Sequence, residues 1–340
     1  MHQLFKFQQK LVPELFEKME SRYSILKTIS RFEPLGRRTL ALNVGKTERH
    51  IRSEVEFLEA NGLIQVTNKG MFVSTEGKEL VDEYHHMIRA VSDVEFLEAE
   101  LQKILPVKQI KIVPGNADES EDVKHSLGKE AANLLMEQMQ RLNVVTVTGG
   151  STMAAVANRL KPQENSKPLF VPARGGLGDQ HEYQANSICV KMAEKTNGSY
   201  RLLYVPDSMG EALHEQMQKE PTVTEVIEWI GKANIVIHGV GDAMTMAERR
   251  RASDRTKQQI TKEKAVGESF GYYFDQNGKT VHRVNSIGMT KEQLDSMQQV
   301  ITVAGGASKS EAISAYFKWG HSDVLVIDEA IARHLLSNKE

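Results

Sequence analysis

Apolar positions change their period along the chain, and each change marks an element. Between 48 and 60, Ile51, Val55 and Leu58 recur at i, i+4 and i+7, the stripe of a helix with one buried face. Thr47 precedes it as an N-cap, and Gly45 before that can take the positive φ of a turn closing a shorter helix around Leu40-Ala41-Leu42. Asn61-Gly62 ends the second helix. The pattern then alternates through Leu63–Val66, turns at Thr67-Asn68-Lys69-Gly70, and resumes at Met71–Val73. That spacing predicts a β-hairpin with Lys69 at its tip. From Glu79 to Leu105, Leu80, Val81, Tyr84, Met87, Ile88, Val91, Val94, Leu97, Leu101 and Ile104 follow helical spacing and predict a long amphipathic helix. Such a helix either packs on its own domain, links two domains, or pairs two subunits.

Beyond 109 the period shortens into Val/Ile-rich runs separated by loops and helical segments: 110–113, 144–147, 169–171, 200–204, 235–238, 300–303 and 324–327. Strands alternating with helices predict an α/β domain with a largely parallel sheet covered on both faces. Its ligands are expected outside the carboxyl ends of the strands.

The chain has 340 residues, 40% hydrophobic and 26% charged, an ordinary globular balance longer than the roughly 250–300 residues one core usually serves. The division expected is a winged helix–turn–helix at 1–88, a connector helix at 89–106, and a ligand-binding and oligomerisation domain at 107–340. The single cysteine, Cys189, excludes an intrachain disulfide and fits a reducing compartment. No signal-peptide pattern is present, and no run reaches the ~18 apolar residues of a membrane helix. A cytoplasmic protein without membrane contact is expected.

The formal net charge of −2 speaks against nucleic acid until it is divided. Residues 1–90 carry 14 Lys+Arg against 12 Asp+Glu. Within 22–52, eight basic residues, Arg22, Lys27, Arg31, Arg37, Arg38, Lys46, Arg49 and Arg52, face only Glu33 and Glu48. A solvated helix face is one explanation. With the Gly turn, the capped second helix and the basic wing, the set points to double-stranded DNA. A winged helix used for protein contacts is the alternative. The candidate DNA contacts are Arg37, Arg38, Lys46, Thr47, Arg49, His50, Arg52 and Lys69, with the second helix in the major groove.

Four strand ends in the α/β half carry glycine loops: Thr148-Gly149-Gly150-Ser151-Thr152, Pro172-Ala173-Arg174-Gly175-Gly176-Leu177-Gly178, Gly239-Val240-Gly241-Asp242 and Ala304-Gly305-Gly306-Ala307-Ser308-Lys309. Glycine admits close approach to the backbone, and a helix N-terminus offers free N–H groups to an anion. Ser151 and Thr152 add hydroxyls, Lys309 a point charge and Arg174 a bidentate fork. Two such cradles suggest a ligand with two anionic groups. Arg249-Arg250-Arg251 either caps the site or lies in solvent. No phosphate-binding P-loop, complete dinucleotide fingerprint or Cys/His set with zinc spacing is present, so neither a nucleotide cofactor nor a metal is expected.

These loops, together with Gln184-Ala185-Asn186, the stretch Ala265–Asp275 with Gly278, Val303–Ile313 and Ile327-Asp328-Glu329-Ala330, resemble the SorC-type sugar-binding domain of bacterial transcriptional regulators, in order over most of the second domain. The resemblance implies a three-layer α/β/α, Rossmann-like fold shared with sugar-phosphate isomerases and deaminases. It implies a repressor of glycolytic genes acting as a homo-oligomer, a dimer or tetramer, on operator DNA. Its operator binding would be modulated by a phosphorylated sugar, with fructose 1,6-bisphosphate the implied effector. The matching effector positions are Gly149, Gly150, Ser151, Thr152, Arg174, Gln184, Arg250, Glu268 and Lys309. Glu268 accepts sugar hydroxyls in one reading and fixes a loop in the other. The N-terminal part is longer than the usual SorC-type helix–turn–helix, so its DNA contacts are not carried over. The alternative function is an isomerase or deaminase with an appended domain. In those enzymes the loop after the central strand continues into Asp-Gly-His, whereas this chain has Gly241-Asp242-Ala243-Met244. No catalytic residue is therefore assigned.

Overall fold

The computed structural model describes residues 11–91, 94–139, 144–163, 166–176 and 180–337, with side chains for all of these except 13, 16, 17 and 85–91. The chain divides into two compact units, Met1–Glu95 and Phe96–Glu340.

The smaller unit contains α1 (Pro13–Phe32), α2 (Arg37–Val44), α3 (Glu48–Ala60), β1 (Ile64–Thr67), β2 (Gly70–Val73) and α4 (Thr75–Val91). Gly45 ends α2 in the left-handed region at φ 64°, and Thr47 caps α3 by accepting the His50 N–H at 3.3 Å. Ile51, Val55 and Leu58 are buried with Ile25, Ile29, Leu40, Ile64 and Met71. β1 and β2 pair antiparallel from Ile64–Val73 to Thr67–Gly70, leaving Asn68 and Lys69 as the turn. Leu35 exchanges backbone hydrogen bonds with Met71, a single antiparallel bridge on the β2 side of the wing.

Two helical segments, α4 and α5 (Val94–Ile104), occupy the span predicted as one helix. Residues 92 and 93 lie outside the described residues, as do the side chains of Met87, Ile88 and Val91 from the expected apolar stripe. In α5, Leu97 and Leu101 are buried, and the Glu98 carboxylate accepts the Ile112 N–H at 2.8 Å. This part of the connector therefore packs on the first strand of the larger unit.

That unit continues through β3 (Gln109–Val113), α6 (Glu121–Met139), β4 (Val144–Val147), α7 (Ser151–Ala157), β5 (Leu169–Pro172), α8 (Ala185–Thr196) and β6 (Ser199–Tyr200). Next come α9 (Glu211–Met217), α10 (Pro221–Gly231), β7 (Ile235–His238), β8 (Gly241–Asp242), α11 (Ala243–Arg249) and α12 (Asp254–Lys262). β9 (Ala265–Ser269), β10 (Tyr272–Asp275), β11 (Thr280–Arg283), α13 (Lys291–Asp295), β12 (Gln299–Ala304), α14 (Ser310–Trp319), β13 (Val324–Asp328) and α15 (Glu329–Ser337) complete it. Seven parallel strands form one sheet in the order β3-β13-β12-β7-β4-β5-β6. From β4 the chain runs outward through β5 and β6, then returns to β7 on the other side of β4. This reversal opens a crevice at the carboxyl ends. The four glycine loops leave the adjacent strands β12, β7, β4 and β5, so strand order alone sets them side by side.

The fold departs from the sequence pattern in two places. The strand expected over 200–204 stops at Tyr200, because Asn186 takes the ladder positions beyond it: its side chain accepts the Leu203 N–H at 3.0 Å and donates to the Leu203 carbonyl at 3.1 Å. The stretch Ala265–Asp275 with Gly278, read only as a motif, supplies β9, β10 and the turn into β11, which with β8 form an antiparallel sheet, β11-β10-β9-β8, beside the crevice.

At the end of β7 the His238 ring is fully buried, its Nε2 3.0 Å from both the Thr302 and Tyr316 hydroxyls and its Nδ1 3.2 Å from the Ser269 hydroxyl. Burial lowers its pKa from 6.5 to about 4. The unfolded chain binds this proton more readily, so stability is undiminished above about pH 6.5 and falls as the pH drops toward 4. The loss across that window amounts to roughly 3 kcal/mol. Urea unfolding of wild type and His238→Gln between pH 4 and 7 should show this dependence in the wild type and not in the variant.

Candidate functional site

On the smaller unit, Arg37, Arg38, Lys46, Thr47, Arg49, His50, Arg52 and Lys69 are all exposed. They come from α2, the turn, the first turns of α3 and the wing tip. Arg38 lies 3.8 Å from Glu48, an exposed pair of little energetic weight. The basic window is smaller than its count. Arg22 turns inward, bonded to the buried Glu54 at 2.7 Å with its guanidinium 3.4 Å from the Phe57 ring centroid. Lys27 and Arg31 lie over the Tyr23 and Phe32 rings of their own helix. Glu54 falls just beyond the counted window, which is why charge counting missed this pairing.

In the larger unit, a cleft of about 200 Å³ opens at the β4/β7 reversal. Gly149, Gly150, Ser151, Thr152, Arg174, Gln184, Arg250, Glu268 and Lys309 all line it. The Gly150 N–H donates to the Tyr183 carbonyl at 2.8 Å, and a Cβ on Gly149 would stand 2.7 Å from that same oxygen. Two backbone segments meet there too closely for a side chain. Gly150, at φ 120°, begins α7 with no side-chain cap. The first-turn N–H groups of Ser151, Thr152 and Met153 therefore have no intrahelical acceptor, and these residues line the cleft. Opposite stand Lys309 and Arg249, neither with a carboxylate within 4 Å among the described residues. Burial lowers the Lys309 pKa, Asp118 pulling the other way.

Arg174 and Arg250 are differently placed. Asp207 lies between them, with Oδ1 2.5 Å from Arg174 Nε and Oδ2 2.8 Å from Arg250 Nε. Glu268 Oε1 accepts Arg250 Nη2 at 2.9 Å and the Gly271 N–H at 2.6 Å, and sits 3.4 Å from Arg174 Nη1. The Tyr273 hydroxyl accepts from Arg250 at 2.9 Å and the Ser286 hydroxyl from Arg174 at 3.2 Å. The four charged side chains are at most 8% exposed and sum to zero charge. Burial lowers the Arg174 pKa; at Arg250 burial pulls down too, but Glu268 and Asp207 outweigh it and raise the pKa. The fork expected of Arg174 is thus engaged within the protein, and Glu268 holds the β9–β10 turn. The Arg249-Arg250-Arg251 run divides: Arg249 at the cleft, Arg250 buried in the network, Arg251 exposed.

The loop after β12 departs from the expected cradle. The Gly306 N–H donates to Asp328 at 2.5 Å, Ala307 N–H to Asn116 at 3.1 Å, and Ser308 N–H and hydroxyl to Asp118 at 2.8 and 3.1 Å. Its backbone donors are taken up by the end of β13 and the β3–α6 loop, and Lys309 and Ser308 are what it brings to the cleft. Asp207, Asn116 and Asp118 had no local signal, since all three reach their partners from distant segments. Leu177 and Gly178 lie outside the described residues.

Residues 90–337 match the family model described as "Putative sugar-binding domain", and residues 18–88 match "CggR N-terminal DNA binding domain". The Central glycolytic genes regulators of Bacillus subtilis and Priestia megaterium are 42% identical over 100% of both chains and 41% identical over 99% of both, respectively. The chain belongs to the family of central glycolytic genes regulators. Among solved structures, a SorC family transcriptional regulator from Enterococcus faecalis is 37% identical with a TM-score of 0.65, over 71% of this chain and 99% of that one. The full-length Sorbitol Operon Regulator SorC from Klebsiella pneumoniae shares the fold, with a TM-score of 0.69 at 13% identity, over 92% of this chain and 96% of that one. The N-terminal unit is a DNA-binding domain and the larger one a sugar-binding domain with a parallel sheet. None of the described helices is long and apolar enough to cross a membrane.

Proposed function

We propose that this protein is a cytoplasmic, homo-oligomeric repressor of glycolytic genes whose grip on operator DNA is set by a phosphorylated sugar, fructose 1,6-bisphosphate fitting best. One observation carries the reading. The uncapped N-terminus of α7 faces two cations, Lys309 and Arg249, that have no carboxylate partner among the described residues, across one cleft. Such a cleft suits a phosphate, with the Ser151 and Thr152 hydroxyls as further donors. A second anionic group has the Arg174–Arg250 pair within the same cleft. Binding rather than turnover is favoured because Asp242, where the related enzymes place their catalytic segment, caps α11 by accepting the Thr245 N–H at 2.8 Å. Arg37, Arg38, Lys46, Arg49, His50, Arg52 and Lys69 supply the DNA contacts.

A thermal-shift series with glycolytic phosphosugars tests this. Fructose 1,6-bisphosphate at a thousand times its Kd should stabilise the wild type by about 4 kcal/mol. Thr152→Ala and Lys309→Ala should lose most of that shift and still retard operator DNA in a gel. If no phosphosugar stabilises the protein, or if it turns over fructose 6-phosphate, the reading is wrong.

A further inference from the structure

The Arg174–Arg250 pair has the form of an anion site: two buried guanidiniums converge on one point of the cleft. That point is held by a carboxylate of the same chain. Asp207 spans the pair, one oxygen to each Nε. The fit is uneven. The Arg250 side is a hydrogen bond of 2.8 Å. On the Arg174 side, the close Nε and Oδ1 atoms lack hydrogen-bond geometry, and both remain buried without a hydrogen-bond partner. A phosphate has three acceptor oxygens and roughly twice the charge of a carboxylate, so it can satisfy both forks.

Resting on the effector reading above, we propose that Asp207 is an internal competitor for the second anionic group of the effector. It neutralises Arg174 and Arg250 when that group is absent and is displaced when it arrives. The resting contact has a physical reason, since two buried cations facing Glu268 alone would leave one positive charge uncompensated. Displacement has a structural consequence. Asp207 side chain and backbone are held together: its N–H donates to the Gly176 carbonyl at 2.9 Å, and its carbonyl lies 3.4 Å from Arg174 Nη2. Two residues on, the Met209 N–H donates to the Asn285 carbonyl at 3.1 Å, and α9 follows. The Asp207 side chain is 5% exposed, so it leaves the arginines only if the segment 205–209 shifts. A ligand with one phosphate, seated at α7, supplies nothing to exchange for Asp207. A ligand with two phosphates does, and it alone moves the segment.

Two measurements on the full chain test this. Calorimetric titration of Asp207→Asn should give fructose 1,6-bisphosphate binding tightened roughly tenfold, with fructose 6-phosphate changed less than about twofold. Unchanged or weaker bisphosphate binding by a folded variant overturns the proposal. If the variant does not fold, hydrogen exchange of the wild type decides. The amides of Val205 and of 207–209 should change their exchange with the bisphosphate and not with the monophosphate. An equal response to both ligands, or no response to the bisphosphate, overturns it. Should the wild type bind no phosphosugar at all, the effector reading itself falls, a separate outcome from failure of Asp207 alone.

Discussion

Replacing Arg49 and Arg52 together with alanine should abolish specific operator retention while leaving ligand-induced stabilisation intact. Both side chains project into solvent from the first turns of α3, the helix whose opposite face, Ile51, Val55 and Leu58, is buried. Removing them therefore costs no packing. A side chain reading a base edge in the major groove is worth about 1–3 kcal/mol of discrimination, so the pair together should lower affinity by about two orders of magnitude or more. Arg37 and Arg38, on the preceding helix, should behave differently. As phosphate contacts they weaken all DNA equally, and their removal flattens the salt dependence by roughly one unit of slope each. Fluorescence anisotropy on operator and scrambled duplexes between 50 and 200 mM salt separates the two behaviours. Equal loss on both duplexes for the Arg49/Arg52 variant would place these residues on the backbone instead.

Arg250→Ala should destabilise the sugar-binding unit by about 3–5 kcal/mol, because it leaves Asp207 and Glu268 facing a single guanidinium in a buried site. The Tyr273 hydroxyl loses its donor as well. Arg174 cannot take over, since its own bonds to Glu268 are already long at 3.4 Å. The check is the urea midpoint of the sugar-binding unit, followed by tryptophan fluorescence from Trp229 and Trp319. A second substitution, Glu268→Gln in the Arg250→Ala background, restores the charge balance and should recover part of the loss, a coupling that a double-mutant cycle reads directly. If Arg250→Ala unfolds at the wild-type midpoint, the network is not holding the cleft walls together.

The winged helix was legible residue by residue because its signals are local. A glycine in the left-handed region, an N-cap three residues from its bond, and a period of 3.6 are all written within a dozen positions. The parallel strands were legible for the same reason, as short Val/Ile runs bounded by glycine. The edge strand at 200–204 was overestimated because the ladder beyond Tyr200 is made by the side chain of Asn186, which no strand pattern encodes. The sheet of β8–β11 was missed because its central strands, β9 and β10, are largely buried on both faces, so alternation is lost.

By itself, then, the sequence determined the two kinds of unit, the basic face of α3 and the wing, and the glycine loops that strand order sets side by side. Those are properties of neighbours along the chain. The tertiary structure alone decided which charges are free to meet a ligand. Arg22 and Arg174 read as available cations and are both paired, with Glu54 from another helix and Asp207 from another loop. Gly306, Ala307 and Ser308 read as an open cradle and are closed by Asp328, Asn116 and Asp118. Among the described residues, Lys309 and Arg249 stay without such partners. Whether a charge is spent or available depends on what lies within about 4 Å in space, and chain folding, not spacing along the sequence, sets that distance.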